Sequence, residues 1–131
     1  MSAEAEIRAA LLAALRADAA LTARVNRVHD DPPLKASPPM VVVGECSGTD
    51  WGTKDRPGRE LRISVTIEDD RETQARIAGI MPLVEAAVGS LPGTVGLWQT
   101  GSLMLIRSRL YRTAAGRWVG LLEYRLRVLA A

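Results

Sequence analysis

The sequence predicts an α+β domain in which an antiparallel sheet of about four strands carries two main helices on one face. Two stretches show the three- and four-residue apolar spacing of amphipathic helices, and two pairs of stretches show the patterns of β-hairpins. The predicted order is α-β-β-α-β-β. Because each hairpin comes with one helix, we expect the apolar face of the sheet to lie beneath the helices.

Length and composition indicate one globular domain over residues 1–131, with 47% hydrophobic and 24% charged residues. No apolar run reaches the roughly 18 residues of a transmembrane helix, so no membrane contact is expected. Glu4 and Glu6 make the amino-terminal stretch an amphipathic helix rather than a signal peptide. The single cysteine, Cys46, excludes an internal disulfide and fits a reducing cytoplasm.

The first helix begins after Ser2, a good N-cap, and carries Ile7, Leu11 and Leu15 on its core face. Asp18 is typical of a second N-cap, opening a short helical turn that reaches Val25. The connector that follows, residues 26–39, contains four prolines and no periodicity. Only residues 27–29 are expected to pair, as a brief edge strand.

The first hairpin joins an apolar strand over residues 40–46 to a strand over residues 60–68 with strict alternation. The first strand is expected to be buried on both faces at its start. Between the two strands, residues 47–59 form a predicted long projecting loop that contains Trp51. Such a loop is either an extension of the hairpin or a binding arm.

The second main helix is predicted over residues 70–89. Asp69 and Glu72 suggest a capping box at its start, and Pro82 inside it predicts a bend near residues 79–82, at a cost of about 3 kcal/mol. Gly89 ends it. The predicted core face has apolar residues at three- and four-residue spacing: Ile77, Ile80, Met81, Val84, Val88 and Leu91.

The carboxy-terminal hairpin, residues 101–131, is predicted to turn through a three-residue loop, 114–116, with Gly116 left-handed. This loop length pairs Leu110 with Gly120, Ser108 with Leu122, Ile106 with Tyr124 and Met104 with Leu126. One face is then almost wholly apolar and is expected to belong to the core. That predicted core face consists of Met104, Ile106, Leu110, Trp118, Leu122, Tyr124, Leu126 and Val128.

The opposite face of this hairpin mixes arginines with apolar side chains, which is too apolar for a solvated face and too charged for a core. It is therefore interpreted as a surface that a partner covers. Residues 101–131 have six arginines and one glutamate, a net charge of +5, whereas residues 44–72 have a net charge of −3. Separated charge favours association between copies, although simple solvation of both faces is the alternative. The candidate subunit interface is Arg107, Arg109, Leu121, Glu123 and Arg125.

The sequence suggests no catalytic, cofactor-binding or metal-binding residues. His29 is the only histidine, and no second group of ligands accompanies it. Ser47 lacks the surroundings of a nucleophile elbow, and Cys46 on a strand is typical of a small buried residue. The acidic residues near position 70 are expected to cap a helix. We therefore predict a protein that is not an enzyme.

Trp51 in the polar loop is a candidate contact residue, because tryptophan is enriched among interface hot spots. Lys54 and Arg56 lie in the same loop and complete the predicted contact surface. The alternative is that Trp51 folds back onto its own domain.

Six segments together resemble the tail-completion or tail-terminator family of long-tailed bacteriophages, prophages and gene transfer agents. The resemblance covers nearly the whole chain and departs from the family pattern at Glu68-Asp69-Asp70. The segments are AALLAALRADAALTARV, VHDDPP, PPMVVVGECSGTDWGTK, GRELRISVTI, RETQARIAGIMPLVEAAV and RTAAGRWVGLLEYRLRV, in that order.

This resemblance implies a homohexameric ring that terminates the tail tube, joins it to the head connector and has no catalytic residues. The implied partners are other copies of the chain, the major tail tube protein and the head-tail connector or stopper protein. In such a ring, Trp51, Lys54 and Arg56 are the candidate contact with the tube or connector. DNA would pass through the lumen without sequence-specific binding. The implied location is the bacterial host cytoplasm during assembly, and then the particle.

The competing hypothesis is a small nucleic-acid-binding module that uses the arginine-rich face of the carboxy-terminal hairpin. Leu103, Leu105 and Leu121 lie among these arginines, which favours a protein interface over a nucleic-acid groove.

Overall fold

A computed structural model describes residues 2–131 and contains three helices and one six-stranded sheet. The strand order is β1-β2-β3-β6-β5-β4, and only the β1–β2 pair is parallel. The elements are α1 (Ala3–Ala17), α2 (Ala19–Thr22), β1 (Arg27–His29), β2 (Met40–Asp50), β3 (Gly58–Asp69), α3 (Ala75–Gly89), β4 (Thr94–Val95), β5 (Trp98–Arg112) and β6 (Trp118–Ala130).

The α+β class is confirmed, but the expected four-stranded antiparallel sheet is wrong in strand number and order. The four long strands are joined by two short ones, β1 and β4, at opposite edges of the sheet. These strands have three and two residues, too few to show an apolar alternation. The brief edge strand expected at residues 27–29 is present as β1.

The amino-terminal caps are confirmed. The Ser2 Oγ accepts a hydrogen bond from the Ala5 N–H at 3.1 Å, and the Asp18 Oδ1 accepts one from the Leu21 N–H at 2.9 Å. The predicted core residues of α1 are all buried. The caps therefore begin α1 and α2 as the sequence indicates.

The first hairpin is longer than expected, because β2 continues to Asp50 and β3 already begins at Gly58. The connecting loop is therefore residues 51–57, and six of the thirteen residues of the predicted loop 47–59 are paired strand. The strands of the hairpin thus extend on both sides of this loop, and its role as a binding arm stays a prediction. The expected burial of β2 on both faces holds for its first four residues, and β3 alternates as predicted.

Helix α3 begins at Ala75, not near residue 70, and the expected capping box is wrong. The carboxylate of Asp69 is buried at the end of β3, where it accepts from the Arg76 Nε at 3.0 Å and from the Asp70 N–H at 2.9 Å. It is therefore unavailable to cap a helix. Helix α3 continues through Pro82 as one element, with Pro82 on its exposed side.

The hydrophobic core lies between the helices and one face of the sheet. Buried side chains from α1 and α3 pack against inward residues of β2, β3 and β6 in two adjoining clusters. Because the side chains of a strand alternate, the other face of the sheet lies away from the helices. We call it the open face. Its β3 and β6 positions are Glu60, Arg62, Ser64, Thr66, Glu68, Val119, Leu121, Glu123, Arg125 and Arg127.

The carboxy-terminal hairpin has the expected turn, but its predicted register fails beyond Arg107. Gly116 has φ +84°, and Leu110 and Ser108 face Gly120 and Leu122 as predicted. A bulge between Leu105 and Arg107 then places Leu105 opposite Tyr124 and Leu103 opposite Leu126. Since one inserted residue exchanges the faces of a strand, Leu103 and Leu105 lie on the helix side, and Met104 lies on the open face.

The β5 part of the predicted core face is therefore wrong. Met104, Ile106 and Leu110 are 48%, 36% and 36% exposed. The bulge turns Met104 to the open face. Leu110 lies on the helix side, where the helices pack over β2, β3 and β6 and leave most of β5 uncovered. The β6 part is confirmed: Leu122, Tyr124, Leu126 and Val128 are buried, and Trp118 is half-buried against the core.

Candidate functional site

The five residues predicted to form a subunit interface lie together on the open face. Arg107 pairs with Glu123 across β5 and β6, Arg109 pairs with Leu121, and Arg125 pairs with Met104. The two β5 arginines are exposed, and the three β6 residues are half-buried. We call this surface, with Met104 and Tyr111, the hairpin patch. Its role as an interface stays a prediction.

The arginines of the hairpin patch have few partners inside the chain. Within residues 2–131, Arg107, Arg109 and Arg125 make no ion pair. The Arg109 guanidinium lies 4.7 Å from the ring centroid of Tyr111, a cation–π contact. The charges of Arg107 and Arg109 are therefore free to meet carboxylates of another molecule.

Arg125 is held differently from the other two arginines. Its Nη2 lies 2.9 Å from the Met104 Sδ, and its Nε is buried without an acceptor among the described residues. A buried donor of this kind costs free energy unless an acceptor reaches it. The fold therefore leaves the Arg125 Nε as an unsatisfied buried donor.

Apolar exposure is concentrated on β5 beside these arginines. Five of the eight large hydrophobic residues that are exposed in the described part of the chain lie between positions 104 and 111. They are Met104, Leu105, Ile106, Leu110 and Tyr111. They are divided between the two faces of the strand: Met104 and Tyr111 lie on the open face, and Leu105 and Leu110 lie on the helix side. Exposed apolar side chains grouped in this way favour an interaction surface.

The predicted contact residues of the first hairpin have different surroundings. Trp51 is 39% exposed, and the Arg127 guanidinium lies 5.1 Å from its ring centroid. Arg56 donates to the Ala130 carbonyl at 2.9 Å and to the Gln99 Oε1 at 3.0 Å. Trp51 and Arg56 therefore pack against their own domain, whereas Lys54 is exposed. Whether these three residues contact a tube or connector stays a prediction.

The remaining polar candidates lie in separate surroundings. Arg8 pairs with Asp30 beside His29, and the hydroxyl of Ser47 has no histidine contact among the described residues. No group of three or more metal-binding side chains was found within residues 2–131. In that same range, no helix is long and apolar enough to cross a membrane.

Cys46 is half-buried on β2, and we expect its thiol to react slowly. Burial, together with the negative charge of Glu4, raises the pKa of the thiol to about 11. Because the thiolate is the nucleophile, alkylation of the folded protein at pH 8 should be roughly a hundredfold slower than that of an ordinary cysteine. Iodoacetamide labelling followed by mass spectrometry measures this rate. The urea-unfolded chain is the control, and equal rates in the two states would contradict the prediction.

Sequence reasoning missed the exposure of Met104 and Ile106, which were predicted to belong to the core. The four residues from Leu103 to Ile106 are all apolar, so the pattern contains no alternation to reveal which side faces water. The length of this hairpin could have indicated the exposure, because its strands are longer than the part of the sheet that the helices cover.

The comparisons with known proteins agree with this fold. The sequence model of the family described as "Tail completion protein gp17" matches residues 9–129. No curated protein matches significantly.

Two solved structures are similar to the chain over nearly its full length. One belongs to "Virion of native gene transfer agent (GTA) particle", with 23% identity and a TM-score of 0.78. It covers 99% of this chain and 100% of the other. The second is "Structure of bacteriophage SPP1 gp17 protein", with 21% identity and a TM-score of 0.66, covering 95% of this chain and 89% of the other. At these identities the likeness demonstrates a shared fold.

Proposed function

Since this chain belongs to the tail completion protein gp17 family, we propose that it terminates the tail tube of a long-tailed phage or phage-like particle. In this proposal, several copies form a ring that joins the tube to the head connector. The resemblance to the family implies that the ring has six copies. The ring performs no catalysis. Its partners are its own copies, the major tail tube protein and the connector or stopper protein, and DNA passes through its lumen without sequence-specific binding.

The observation that carries the tail role is the family match over residues 9–129. Self-association is supported by the hairpin patch, where unpaired arginines stand among exposed apolar side chains. The patch is the proposed subunit interface. The loop 51–57 is the proposed contact with the tube or connector, with Lys54 as its exposed cation and with Arg56 holding the loop against β6. Assembly takes place in the host cytoplasm, after which the ring is part of the particle.

Deletion of the gene tests the tail role directly. We expect overlong tails, or full heads and tails that remain unjoined, because nothing would end the tube and present a surface to the connector. Electron microscopy of particles from the deletion strain measures this outcome. The same strain with the gene restored on a plasmid is the control. Joined particles of normal tail length without the gene would contradict the proposal.

Binding of nucleic acid by the hairpin patch remains the second candidate. The free arginines favour it, since phosphates attract unpaired cations. The exposed Met104 and Tyr111 beside them favour a protein partner instead. We therefore rank a second copy of the chain ahead of DNA.

A further inference from the structure

Strand β5 has a free backbone edge along most of its length. Strand β4 pairs with it only at Trp98 and Gln99, and the Thr100 N–H donates to the Gly93 carbonyl at 2.9 Å. From Gly101 to Arg112, within the described residues, the β5 backbone hydrogen-bonds only toward β6. An unpaired strand edge of this length is a template for pairing with another strand.

The turn of the hairpin shows which backbone groups of this edge are available. The Thr113 N–H donates to the Arg117 carbonyl at 2.7 Å, and the Gly116 N–H donates to the Thr113 carbonyl at 2.9 Å. Bonded and non-bonded pairs alternate along an antiparallel ladder. The N–H and C=O groups of Ser108, Leu110 and Arg112 therefore point away from β6. No bulge interrupts the pairing of β5 with β6 over Arg107–Arg112.

Strand β2 offers a second free edge on the other side of the same sheet. Strand β1 pairs only with Met40–Val42. The Arg8 guanidinium donates to the carbonyls of Val43 and Gly44, each at 2.9 Å, and so covers the next two residues. From Cys46 to Asp50, β2 pairs with β3 in regular register, and its outer edge has no partner among residues 2–131.

The two free edges complement each other in charge and in direction. The β5 edge carries Arg107, Arg109 and Arg112 without an acid, and β2 carries Glu45, just before the free stretch, and Asp50 at its end, without a base. The long strands alternate in direction in the order β2-β3-β6-β5. A second copy in the same orientation beside β5 therefore presents its β2 antiparallel to β5. Such a head-to-tail contact repeats from copy to copy and can close into a ring.

We propose that Arg107–Arg112 of one copy pairs as an antiparallel strand with Cys46–Asp50 of the next copy. This inference rests on the proposed ring and specifies how its subunits join. The pairing covers the exposed Leu110 and Tyr111, satisfies the outward backbone groups of both strands and makes one continuous sheet across subunits. The open faces of neighbouring copies then lie side by side.

Disulfide trapping in assembled particles tests the pairing. In a Cys46→Ala background, Arg109→Cys is combined with either Thr49→Cys or Ser47→Cys, which are all open-face positions. Within one chain these positions are separated by two intervening strands, about 14 Å, which is too far for a disulfide. We therefore expect oxidation to produce a ladder of linked copies in at least one of the two combinations.

The matched control moves one cysteine by a single residue. Ser108→Cys with Thr49→Cys places the two thiols on opposite faces of the continuous sheet, so we expect no ladder. Ser108→Pro is the complementary variant, because it removes an outward N–H and edge strands accept proline. We expect it to retain the circular dichroism of the native fold and to abolish the ladder in the trapping background. If it does not fold, the two cysteine combinations decide the question.

The outcomes separate this inference from the proposed function. Joined particles without a ladder in either open-face combination would overturn the edge pairing and leave the ring standing. A disulfide from Arg109→Cys to a tube or connector protein that carries a reactive cysteine would assign the edge to that partner instead. Particles in which the protein is present as single copies would overturn the ring itself.

Discussion

The Asp69→Ala variant should unfold with a free energy about 3 kcal/mol below that of the unmodified protein at pH 7, because it removes one partner of a buried ion pair. The Asp69 carboxylate is fully buried, and both nitrogens Nε and Nη2 of Arg76 donate to it. Its loss leaves the half-buried guanidinium of Arg76 without its main acceptor. Urea denaturation followed by circular dichroism measures the difference.

The matched control is Asp70→Ala, since Asp70 lies next in the chain and its carboxylate is 3.3 Å from the same guanidinium. Asp70 is exposed, so its ion pair should contribute less than about 1 kcal/mol. Equal losses in the two variants would show that burial of the carboxylate does not matter here.

The contribution of Asp69 should also depend on pH. Burial alone raises the pKa of this carboxyl, but the hydrogen bonds and charge of Arg76, with help from the Asp70 N–H and Arg71, outweigh it and lower the pKa below its usual value. A lowered pKa in the folded state stabilises the fold above the unfolded pKa of about 3.9, and this stabilisation is lost as pH falls through the folded pKa. The difference in the free energy of unfolding between the unmodified protein and Asp69→Ala should therefore become smaller in strong acid.

Reversing two charges of the hairpin patch should prevent assembly without unfolding the protein. In Arg107→Glu/Arg109→Glu, we expect about a hundredfold fewer joined particles, since like charges that meet across an interface cost several kcal/mol. The free energy of unfolding should fall by no more than about 1 kcal/mol, because the substitution at position 109 is a simple surface change and the one at position 107 only places a carboxylate opposite Glu123. Both side chains are exposed and make no ion pair within the described residues. A particle titre and a urea denaturation curve give the two values.

The control changes the net charge equally at another place. Arg24→Glu/Lys35→Glu replaces two exposed cations that lie outside the hairpin, and it should leave the particle titre unchanged. Equal titres in both double variants would contradict a role of the patch in assembly. Retention of the unmodified protein on a DNA column at low salt, lost only in the patch variant, would favour the nucleic-acid alternative.

Local sequence patterns were sufficient to predict the structure wherever a single residue or a simple periodicity determines it. The apolar spacing of Ile7, Leu11 and Leu15 predicted the buried side of α1, and the alternation around Ile63 predicted both faces of β3. Gly116 predicted the turn of the last hairpin. Because the turn sets the register near it, the open-face positions of Arg107, Arg109, Leu121 and Glu123 followed from the sequence.

Tertiary packing decided what these local patterns leave open. The run from Leu103 to Ile106 is uniformly apolar, so the local sequence does not determine which of its side chains face the core. A one-residue bulge determines it instead. The same uniformity concealed that the helices pack over β2, β3 and β6 and leave most of β5 uncovered. The sequence around Asp69 resembles a helix cap. In the structure, however, the Asp69 carboxylate is buried at the end of β3 and forms an ion pair with Arg76, so it does not cap α3.

The sequence by itself thus determined the α+β class, the helix starts at Ser2 and Asp18, and the arginine-bearing face of the last hairpin. Each of these depends on interactions within a few residues or on a simple periodicity. Only the tertiary structure decided that the hairpin extends past its helices and leaves a free, partly apolar strand edge. That outcome depends on how far two helices reach across a sheet, and no short stretch of sequence encodes that distance.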